Sequence, residues 1–236
     1  MEIRGKTAIV TGSGGGGQGR ALAIRLAKEG ASVVVSDTDV AGGNETLRRI
    51  QTAGGRAAFC HADVSSEQDL RGLIAFAEQT FGGLDILVNN AGPFLPGEPL
   101  AHWEETLRGN LFSAIHGMLY AIEAMRKRGG GAIICYGSTS AIGYGRKHSP
   151  APAYDVAKIA VARLATTMAW LHQKENIRIN CIVPDWVATE EVQAFVDSCT
   201  PEQRRARGVP HTLISLDEIS TAVMRLIADD SLPAAC

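Results

Sequence analysis

Short apolar runs alternate with segments of helical periodicity along most of the chain. The apolar runs predict six strands, at residues 7–10, 32–36, 56–61, 84–88, 132–136 and 177–183. The intervening and following segments predict helices, at residues 19–29, 42–53, 66–81, 100–128, 153–174 and 217–228. Strands that are apolar throughout and alternate with helices are typical of a parallel sheet covered on both faces. With right-handed crossovers, the pattern predicts an α/β fold with a doubly wound parallel sheet.

The chain shows no internal boundary. Its 236 residues are enough for one large α/β domain or two small ones, and no linker-like stretch divides them. We therefore predict a single domain over residues 1–236. The mixed segment at residues 188–212 is predicted to form a substrate lid.

Composition narrows the classes of function. The formal net charge is −2 and the longest basic run is residues 126–128, which argues against a nucleic-acid partner. No apolar stretch is long enough to span a bilayer, so no membrane partner is expected. The five cysteines are scattered without the spacing of a metal site. We therefore expect no metal and a reducing, cytoplasmic location.

A glycine-rich stretch joins the first predicted strand to the first predicted helix. Its residues are Val10-Thr11-Gly12-Ser13-Gly14-Gly15-Gly16-Gly17-Gln18-Gly19-Arg20. Glycines let the backbone turn tightly and approach a ligand, and the helix start presents free N–H groups and a positive dipole end. A pyrophosphate suits such a turn. Because Asp37 ends the next strand, the stretch has the setting of a dinucleotide-binding turn.

Asp37 also bears on which dinucleotide binds. Its carboxylate can accept hydrogen bonds from the adenosine ribose and would repel a 2′-phosphate. Thr38 follows it, and no Lys or Arg stands beside it to pair with a phosphate. The sequence therefore favours NAD over NADP, although Asp39 is a competing carboxylate. Asp63 and Val64, after the third strand, are expected either near the adenine or in an ordinary turn.

Side-chain amides mark two further places. Asn89, Asn90, Ala91 and Gly92 end the fourth predicted strand, where small residues let the backbone approach a cofactor. Asn110 stands in an apolar stretch of a predicted helix, and a buried carboxamide needs hydrogen-bond partners. Its partners lie either in a site or locally, at a helix break near residue 109.

Tyr154 and Lys158 are four residues apart near the start of a predicted helix, which places them on one face. A free tyrosine titrates near pH 10, and a nearby ammonium favours the phenolate and lowers that pKa. The pair can then exchange a proton with an alcohol or a carbonyl. Ser138, just after the fifth strand, is placed to hydrogen-bond the same substrate oxygen.

Together these motifs resemble the short-chain dehydrogenase/reductase family. The matching pieces are Thr11-Gly12 with Gly17-Gln18-Gly19, Asp37, Asp63-Val64, Asn89 to Gly92, Asn110, Ser138, Tyr154 to Lys158, and Asn180 through Pro184 to Thr189. They occur in the family's order and near its spacing, and they cover about the first 190 residues. The resemblance implies a Rossmann-type domain, a nicotinamide cofactor, and hydride transfer to or from a carbonyl or alcohol carbon.

The resemblance also implies roles for individual residues. Tyr154 would be the acid/base, Ser138 would orient the substrate oxygen, and Lys158 would lower the Tyr154 pKa and hold the nicotinamide ribose. Asn110 would position a water in a proton relay. The expected cofactor-binding residues are Gly12, Gly17, Gln18, Gly19, Asp37, Asp63, Val64, Asn90, Ala91, Gly92, Tyr154, Lys158, Pro184, Val187 and Thr189.

Four features depart from the family pattern. The glycine turn has one residue more than usual between Gly12 and Gly17, so the loop bulges or Gly16 takes over one role. The loop before Tyr154 is longer than usual, which makes Ser140 a rival for the serine role. Asp185 stands where the family usually has glycine, with no evident purpose. The family's seventh strand is also missing from the pattern.

The substrate walls and the assembly follow from the same resemblance. The walls carry Phe94, Leu95, Ile142, Tyr144, Trp186, Val192 and Phe195, with Arg146, Lys147 and His148 as candidate polar anchors. The apolar residues indicate a small, partly apolar alcohol or ketone. The helices at residues 100–128 and 153–174 are apolar on more than one face, which indicates a second partner. In the resembling family these helices pair across a two-fold axis, which implies a homodimer or homotetramer.

The sequence thus predicts an NAD-dependent oxidoreductase that transfers a hydride between the cofactor and a carbonyl or secondary-alcohol carbon. One alternative is an NADPH-dependent 3-oxoacyl reductase. Another, from a different class, is a catalytically silent dinucleotide-binding sensor or scaffold. The silent alternative is disfavoured because the chain has all four candidate catalytic residues, Asn110, Ser138, Tyr154 and Lys158.

Overall fold

The computed structural model describes residues 1–97, 101–143 and 149–230. Its strands are β1 (Thr7–Thr11), β2 (Ser32–Asp37), β3 (Arg56–His61), β4 (Ile86–Asn89), β5 (Gly131–Tyr136) and β6 (Ile177–Ile182). Within the described ranges these strands form one sheet in the order β3-β2-β1-β4-β5-β6, and every neighbouring pair is parallel. The strand order reverses between β1 and β4, as in doubly wound dinucleotide-binding folds. The predicted fold class is confirmed.

Ten helices connect and flank the strands in the described part of the chain. They are α1 (Gln18–Lys28), α2 (Val40–Thr52), α3 (Glu67–Phe81), α4 (Trp103–Leu107), α5 (Ser113–Arg126), α6 (Pro152–Thr167), α7 (Trp170–Glu175), α8 (Glu190–Ser198), α9 (Pro201–Arg207) and α10 (Leu216–Ala228). Local signals set their ends. Ser66 caps α3 by accepting the Asp69 N–H at 3.2 Å, and Gly82 ends it with φ +84°.

Two predicted helices are each divided in the structure. The segment predicted at residues 100–128 contains α4, a π-helical turn (Arg108–Phe112) and α5, while residue 100 lies outside the described residues. Gly109 packs on Pro93, since an added Cβ would come within 2.6 Å of that ring. The segment predicted at residues 153–174 is divided after Thr167 into α6 and α7. The first break falls near residue 109, where the sequence left a helix break as an alternative. The second, after Thr167, is not revealed by periodicity, because the apolar positions continue across it.

The sheet lies between two apolar layers. On one face, β-strand residues pack with α3, α5 and α6 through residues such as Leu73, Met118 and Val161. On the other face they pack with α1, α2 and α10 through residues such as Leu26, Ile50, and Val223. Within the described residues, no helix has both the length and the hydropathy needed to cross a membrane.

The carboxyl ends of the strands bring the candidate residues to one edge of the sheet. The glycine turn follows β1, Asp37 ends β2, Asn90 follows β4, Ser138 follows β5 and Pro184 follows β6. In a doubly wound sheet, ligands bind at this edge where the strand order reverses. The candidate residues therefore border one crevice at the carboxyl edge of the sheet.

Candidate active site

The glycine-rich turn is held in shape by backbone contacts of its first residues. Gly12 has φ +65°, and a Cβ added to Gly19 would lie 2.1 Å from the Gly12 carbonyl oxygen. Ser13 donates its N–H to the Ser36 carbonyl at 3.1 Å, and Gly14 donates its N–H to Asp37 Oδ2 at 2.7 Å. The turn has one residue more than the family pattern, and the longer loop is hydrogen-bonded to the end of β2.

Arg20 also holds the glycine turn in place, a role that the sequence did not indicate. Its guanidinium donates to the carbonyls of Gly14 and Gly42, and its Nε donates to Thr46 Oγ1 at 2.8 Å. Thr46 in turn donates to the Ser13 carbonyl at 2.7 Å. The sequence shows only that an arginine directly follows the last glycine of the turn. Its partners Gly42 and Thr46 lie on α2 and are identified only in the folded structure.

The rest of the turn suits an anion. Within the described residues, the backbone N–H groups of Gly15, Gly16 and Gly17 have no hydrogen-bond partner. They stand at the N-terminus of α1, where the helix dipole favours negative charge. The Gln18 side-chain oxygen is also buried without a partner in this part of the chain. Free N–H groups at a helix N-terminus are those that the pyrophosphate of a bound dinucleotide would accept hydrogen bonds from.

The two carboxylates after β2 have different surroundings. Asp37 accepts the Gly14 N–H and, through Oδ1, the Asp39 N–H at 3.0 Å, so its carboxylate is fixed beside the turn. Asp39 caps α2 by accepting the Gly42 N–H at 3.0 Å. Of the two competing carboxylates, Asp37 is the one on the crevice side.

The residues after β3 make local contacts, whereas those after β4 contact the glycine turn. Asp63 accepts the Ser65 N–H at 2.8 Å in an ordinary turn, and Val64 lines an internal cavity. Asn90 donates to the carbonyls of Thr11 and Gly12 at 2.9 and 3.1 Å. It therefore ties the end of β4 to the glycine turn. Ala91 and Gly12 are close enough that a Cβ on Gly12 would lie 2.9 Å from the Ala91 Cα.

Tyr154 lies in the first turn of α6, close enough to Ser138 for that side chain to affect the Tyr154 pKa. Ser140, the rival serine, lies 2.9 Å from Ser138 Oγ through its own hydroxyl. Burial raises the pKa of Tyr154, the Ser138 side chain lowers it, and Asp155 raises it, with a net upward direction. This direction differs from the lowering predicted from Lys158, because desolvation of the phenolate dominates.

Lys158 lies one helical turn further along α6 and is buried, with 5% of its surface exposed. Its Nζ donates to the Tyr136 carbonyl at 3.1 Å and lies 5.3 Å from the centre of the Tyr154 ring. Burial lowers the pKa of Lys158 to about 8, while the nearby Cys181 and Cys135 raise it. At neutral pH the side chain therefore remains largely a cation beside the tyrosine.

Asn110 lies in the π-helical turn and is 2% exposed. Its amide donates to the carbonyls of Pro93 and Thr106 at 2.9 and 3.1 Å, while its Oδ1 is buried with no partner in the described part of the chain. Asn110 and Lys158 both line a cavity of about 10 Å³. That volume is close to the minimum for a single water molecule.

The segment after β6 runs along the mouth of the crevice. Val187 is buried and forms a parallel bridge with Ile214. Thr189 caps α8, and its methyl group would lie 3.3 Å from a Cβ on Gly17. The Glu190 carboxylate lies against Gly16, at 2.7 Å from a Cβ built there. The first turn of α8 therefore contacts the glycine turn directly.

Asp185, which had no evident purpose in the sequence, has a partner in the structure. Its Oδ1 accepts a hydrogen bond from Thr139 Oγ1 at 3.0 Å, and Thr139 N–H donates to the Pro184 carbonyl at 3.1 Å. These contacts tie the end of β6 to the turn that follows Ser138. Asp185 therefore supports the loop that carries the serine.

The predicted substrate walls are described in part. Phe94 packs edge-to-face on Tyr154 with ring centres 5.1 Å apart, and it remains 53% exposed. Trp186 and Phe195 stack with centres 6.0 Å apart. The candidate wall and anchor positions Tyr144, Arg146, Lys147 and His148 lie outside the described residues.

Fold and site together define a class of protein. A glycine turn at the switch point of a doubly wound sheet, together with a partly buried tyrosine and a buried lysine on one helix face, defines an oxidoreductase acting on CH–OH groups. A family model described as short chain dehydrogenase matches residues 6–199. The chain belongs to the short-chain dehydrogenase/reductase family, which uses nicotinamide cofactors.

Individual relatives agree with that assignment. The chain is similar to 7alpha-hydroxysteroid dehydrogenase of Escherichia coli K12, with 37% identity over 205 residues, 86% of this chain and 78% of the relative. It is also similar to cyclohexanol dehydrogenase of an Acinetobacter species, with 29% identity, 98% of this chain and 90% of the relative. A solved 7alpha-hydroxysteroid dehydrogenase in complex with NADH and 7-oxo glycochenodeoxycholic acid superimposes with a TM-score of 0.85 and 35% identity, covering 96% of this chain and 89% of that one.

Proposed function

We propose that this protein is an NAD-dependent dehydrogenase that interconverts a secondary alcohol and a ketone on a small, partly apolar, alicyclic substrate. The observation that carries the proposal is that Tyr154 lies within the influence of the Ser138 side chain and one helical turn from the buried Lys158, which lines a cavity together with Thr11. A nicotinamide cofactor bound at the glycine turn would supply the hydride acceptor for the alcohol carbon or the hydride donor for the carbonyl carbon. The alicyclic class draws support from the exposed apolar face of Phe94 and from relatives named for steroid and cyclohexanol substrates.

The chain's own residues handle the proton. In the reducing direction, Tyr154 donates its proton to the substrate carbonyl oxygen, which Ser138 orients by a hydrogen bond. The raised pKa of Tyr154 keeps this proton available at neutral pH. In the oxidising direction, the phenolate accepts the alcohol proton, and the Lys158 ammonium stabilises that phenolate. Asn110, facing the cavity it shares with Lys158, holds a water that returns or removes the proton.

The cofactor site is proposed at the glycine turn. The free N–H groups of residues 15–17 bind the pyrophosphate, and the fixed Asp37 carboxylate receives the adenosine ribose hydroxyls. The remaining proposed cofactor contacts are Gly12, Gly17, Gln18, Gly19, Asp63, Val64, Asn90, Ala91, Gly92, Tyr154, Lys158, Pro184, Val187 and Thr189. Residues 188–212, with α8 and α9, form the lid of a single domain over residues 1–236.

The proposal is tested with a panel of alicyclic secondary alcohols, following NADH or NADPH formation with wild type and Asp37→Asn. We expect turnover with NAD and a preference over NADP that falls about tenfold in Asp37→Asn, because the carboxylate charge repels the 2′-phosphate. Asp39→Asn is the matched control, since Asp39 only caps α2, and should leave the preference unchanged. A wild-type preference for NADPH with 3-oxoacyl substrates would favour the reductase alternative. NAD binding without turnover of any alcohol would favour a silent sensor.

We further propose that two or four copies assemble through α5 and α6. Both helices expose large apolar side chains, namely Phe112 and Leu119 near and on α5, and Val156 and Ile159 on α6, each between 43% and 51% exposed. Exposed apolar faces of this kind mark interfaces. Light scattering is expected to give the mass of a dimer or tetramer, and a monomer mass would contradict the proposal.

All cysteines in the described ranges are free thiols, which supports a cytoplasmic location.

A further inference from the structure

Two aromatic side chains, Trp186 just before the lid and Phe195 on α8 within it, lie together. Val187 belongs to the apolar core on the α1 and α10 side of the sheet, together with Ile219 and Val223. Its neighbour Trp186 is not part of that core in the described residues. Ile214 N–H donates to the Trp186 carbonyl at 2.8 Å, and Ala188 N–H donates to the Ile214 carbonyl at 2.8 Å, so the segment is extended. Side chains alternate along an extended segment. Trp186 therefore faces away from the α1 and α10 layer, towards the side of the sheet that carries α6 and Tyr154.

A cation lies next to the second of these rings. The rings of Trp186 and Phe195 are stacked, with centres 6.0 Å apart and 15° between their planes. The guanidinium of Arg207, at the end of α9, lies 4.9 Å from the centre of the Phe195 ring. Phe195 is 37% exposed, so its ring remains available at the surface of the lid. The two stacked rings thus form an apolar surface, and the Arg207 guanidinium lies on the Phe195 side of it.

Arg207 differs from the other arginines of α9. Arg204 lies 3.8 Å from Asp197, and Arg205 lies 3.1 Å from Glu202. Among the described residues, no carboxylate lies within ion-pair distance of Arg207. A guanidinium over a ring without a carboxylate partner has N–H groups that can bind a carboxylate or sulfate in a bidentate manner.

We propose that the substrate is an amphipathic alicyclic alcohol or ketone with an anionic group at the end remote from the reacting carbon. This inference rests on the function proposed above. The apolar ring system lies between Phe94 at Tyr154 and Trp186 just before the lid. The carboxylate or sulfate binds the guanidinium of Arg207, which Phe195 holds in place. The chain thereby selects for an anion at the mouth of the site, far from the reacting carbon.

The test compares hydroxycyclohexyl alkanoic acids of increasing chain length with their methyl esters, in steady state with NAD. For the chain length that spans the site, we expect a KM about fivefold or more below that of the matched ester, with similar kcat, because a charge-assisted hydrogen bond is lost in the ester. Arg207→Ala should remove the difference between acid and ester, and Arg207→Glu should reverse it. Arg205→Ala, which removes an exposed arginine paired with Glu202, is the matched control and should retain the difference.

Other outcomes separate this inference from the proposed function. Equal KM values for acid and ester at every chain length would overturn the anionic-substrate inference while leaving the dehydrogenase intact. A loss of the preference in Arg205→Ala as large as in Arg207→Ala would also overturn it, because the effect would then be general surface charge. If neither acids nor esters are oxidised, the proposed function fails and this inference fails with it. Raising the salt concentration should shrink the acid preference, since the guanidinium is exposed.

Discussion

Tyr154→Phe is expected to lower kcat about a thousandfold while leaving NAD and NADH affinity within about twofold. The substitution removes one hydroxyl, and with it the interaction with Ser138 and the proton that the reaction needs. The phenyl ring keeps its edge-to-face contact with Phe94, so the surrounding packing is preserved. The measurements are single-turnover rates with an alicyclic alcohol, and the dissociation constant of NADH by its fluorescence.

Tyr120→Phe is the matched control for this prediction. Tyr120 also loses only a hydroxyl, which is hydrogen-bonded to Glu67 on an exposed part of α3. That variant should retain the wild-type rate. If Tyr154→Phe instead kept more than about a tenth of the wild-type rate, general acid/base catalysis by Tyr154 would be wrong. A weakened NADH affinity in the same variant would point to a structural role in place of the chemical one.

Gly19→Ala is expected to raise the dissociation constant of NAD about tenfold or more and to lower the melting temperature. The added Cβ would lie 2.1 Å from the Gly12 carbonyl and 2.7 Å from Asn90 Nδ2, so α1 and the turn have to separate. That shift moves the N–H groups of residues 15–17, which are proposed to bind the pyrophosphate. Calorimetric titration with NAD and thermal unfolding measure the two effects.

Gly15→Ala is the control within the same turn. A Cβ on Gly15 meets no atom within 4 Å, and its backbone is outside the left-handed region, so the alanine fits without movement. We expect wild-type stability and NAD affinity within about twofold. Equal losses in both variants would mean that flexibility of the turn matters more than its close packing. Unchanged NAD affinity in Gly19→Ala would place the cofactor elsewhere.

The layout of the fold was predictable because it depends on local pattern. Apolar runs at the strands and stop signals such as Gly82 are properties of neighbouring residues, and they located the strands to within one or two residues. A parallel sheet then follows from strands that are apolar on both faces. The motif residues Gly12, Tyr154 and Lys158 were likewise readable, since their chemistry depends on residue type and short spacing. The roles assigned to them remain predictions.

Only the tertiary structure decided the contacts between elements distant in sequence. The contacts of Arg20 with the glycine turn and α2, and of Asp185 with the Ser138 loop, join segments that the sheet brings together. The position of Arg207 over Phe195 depends on how the consecutive helices α8 and α9 pack. The π-helical turn within the helix predicted at residues 100–128 is likewise accompanied by a long-range contact, that of Gly109 with Pro93. The direction of the Tyr154 pKa belongs to the same group, because desolvation depends on everything that covers the side chain. Periodicity and short motifs record what neighbouring residues favour, whereas burial and long-range contacts exist only after the chain has folded.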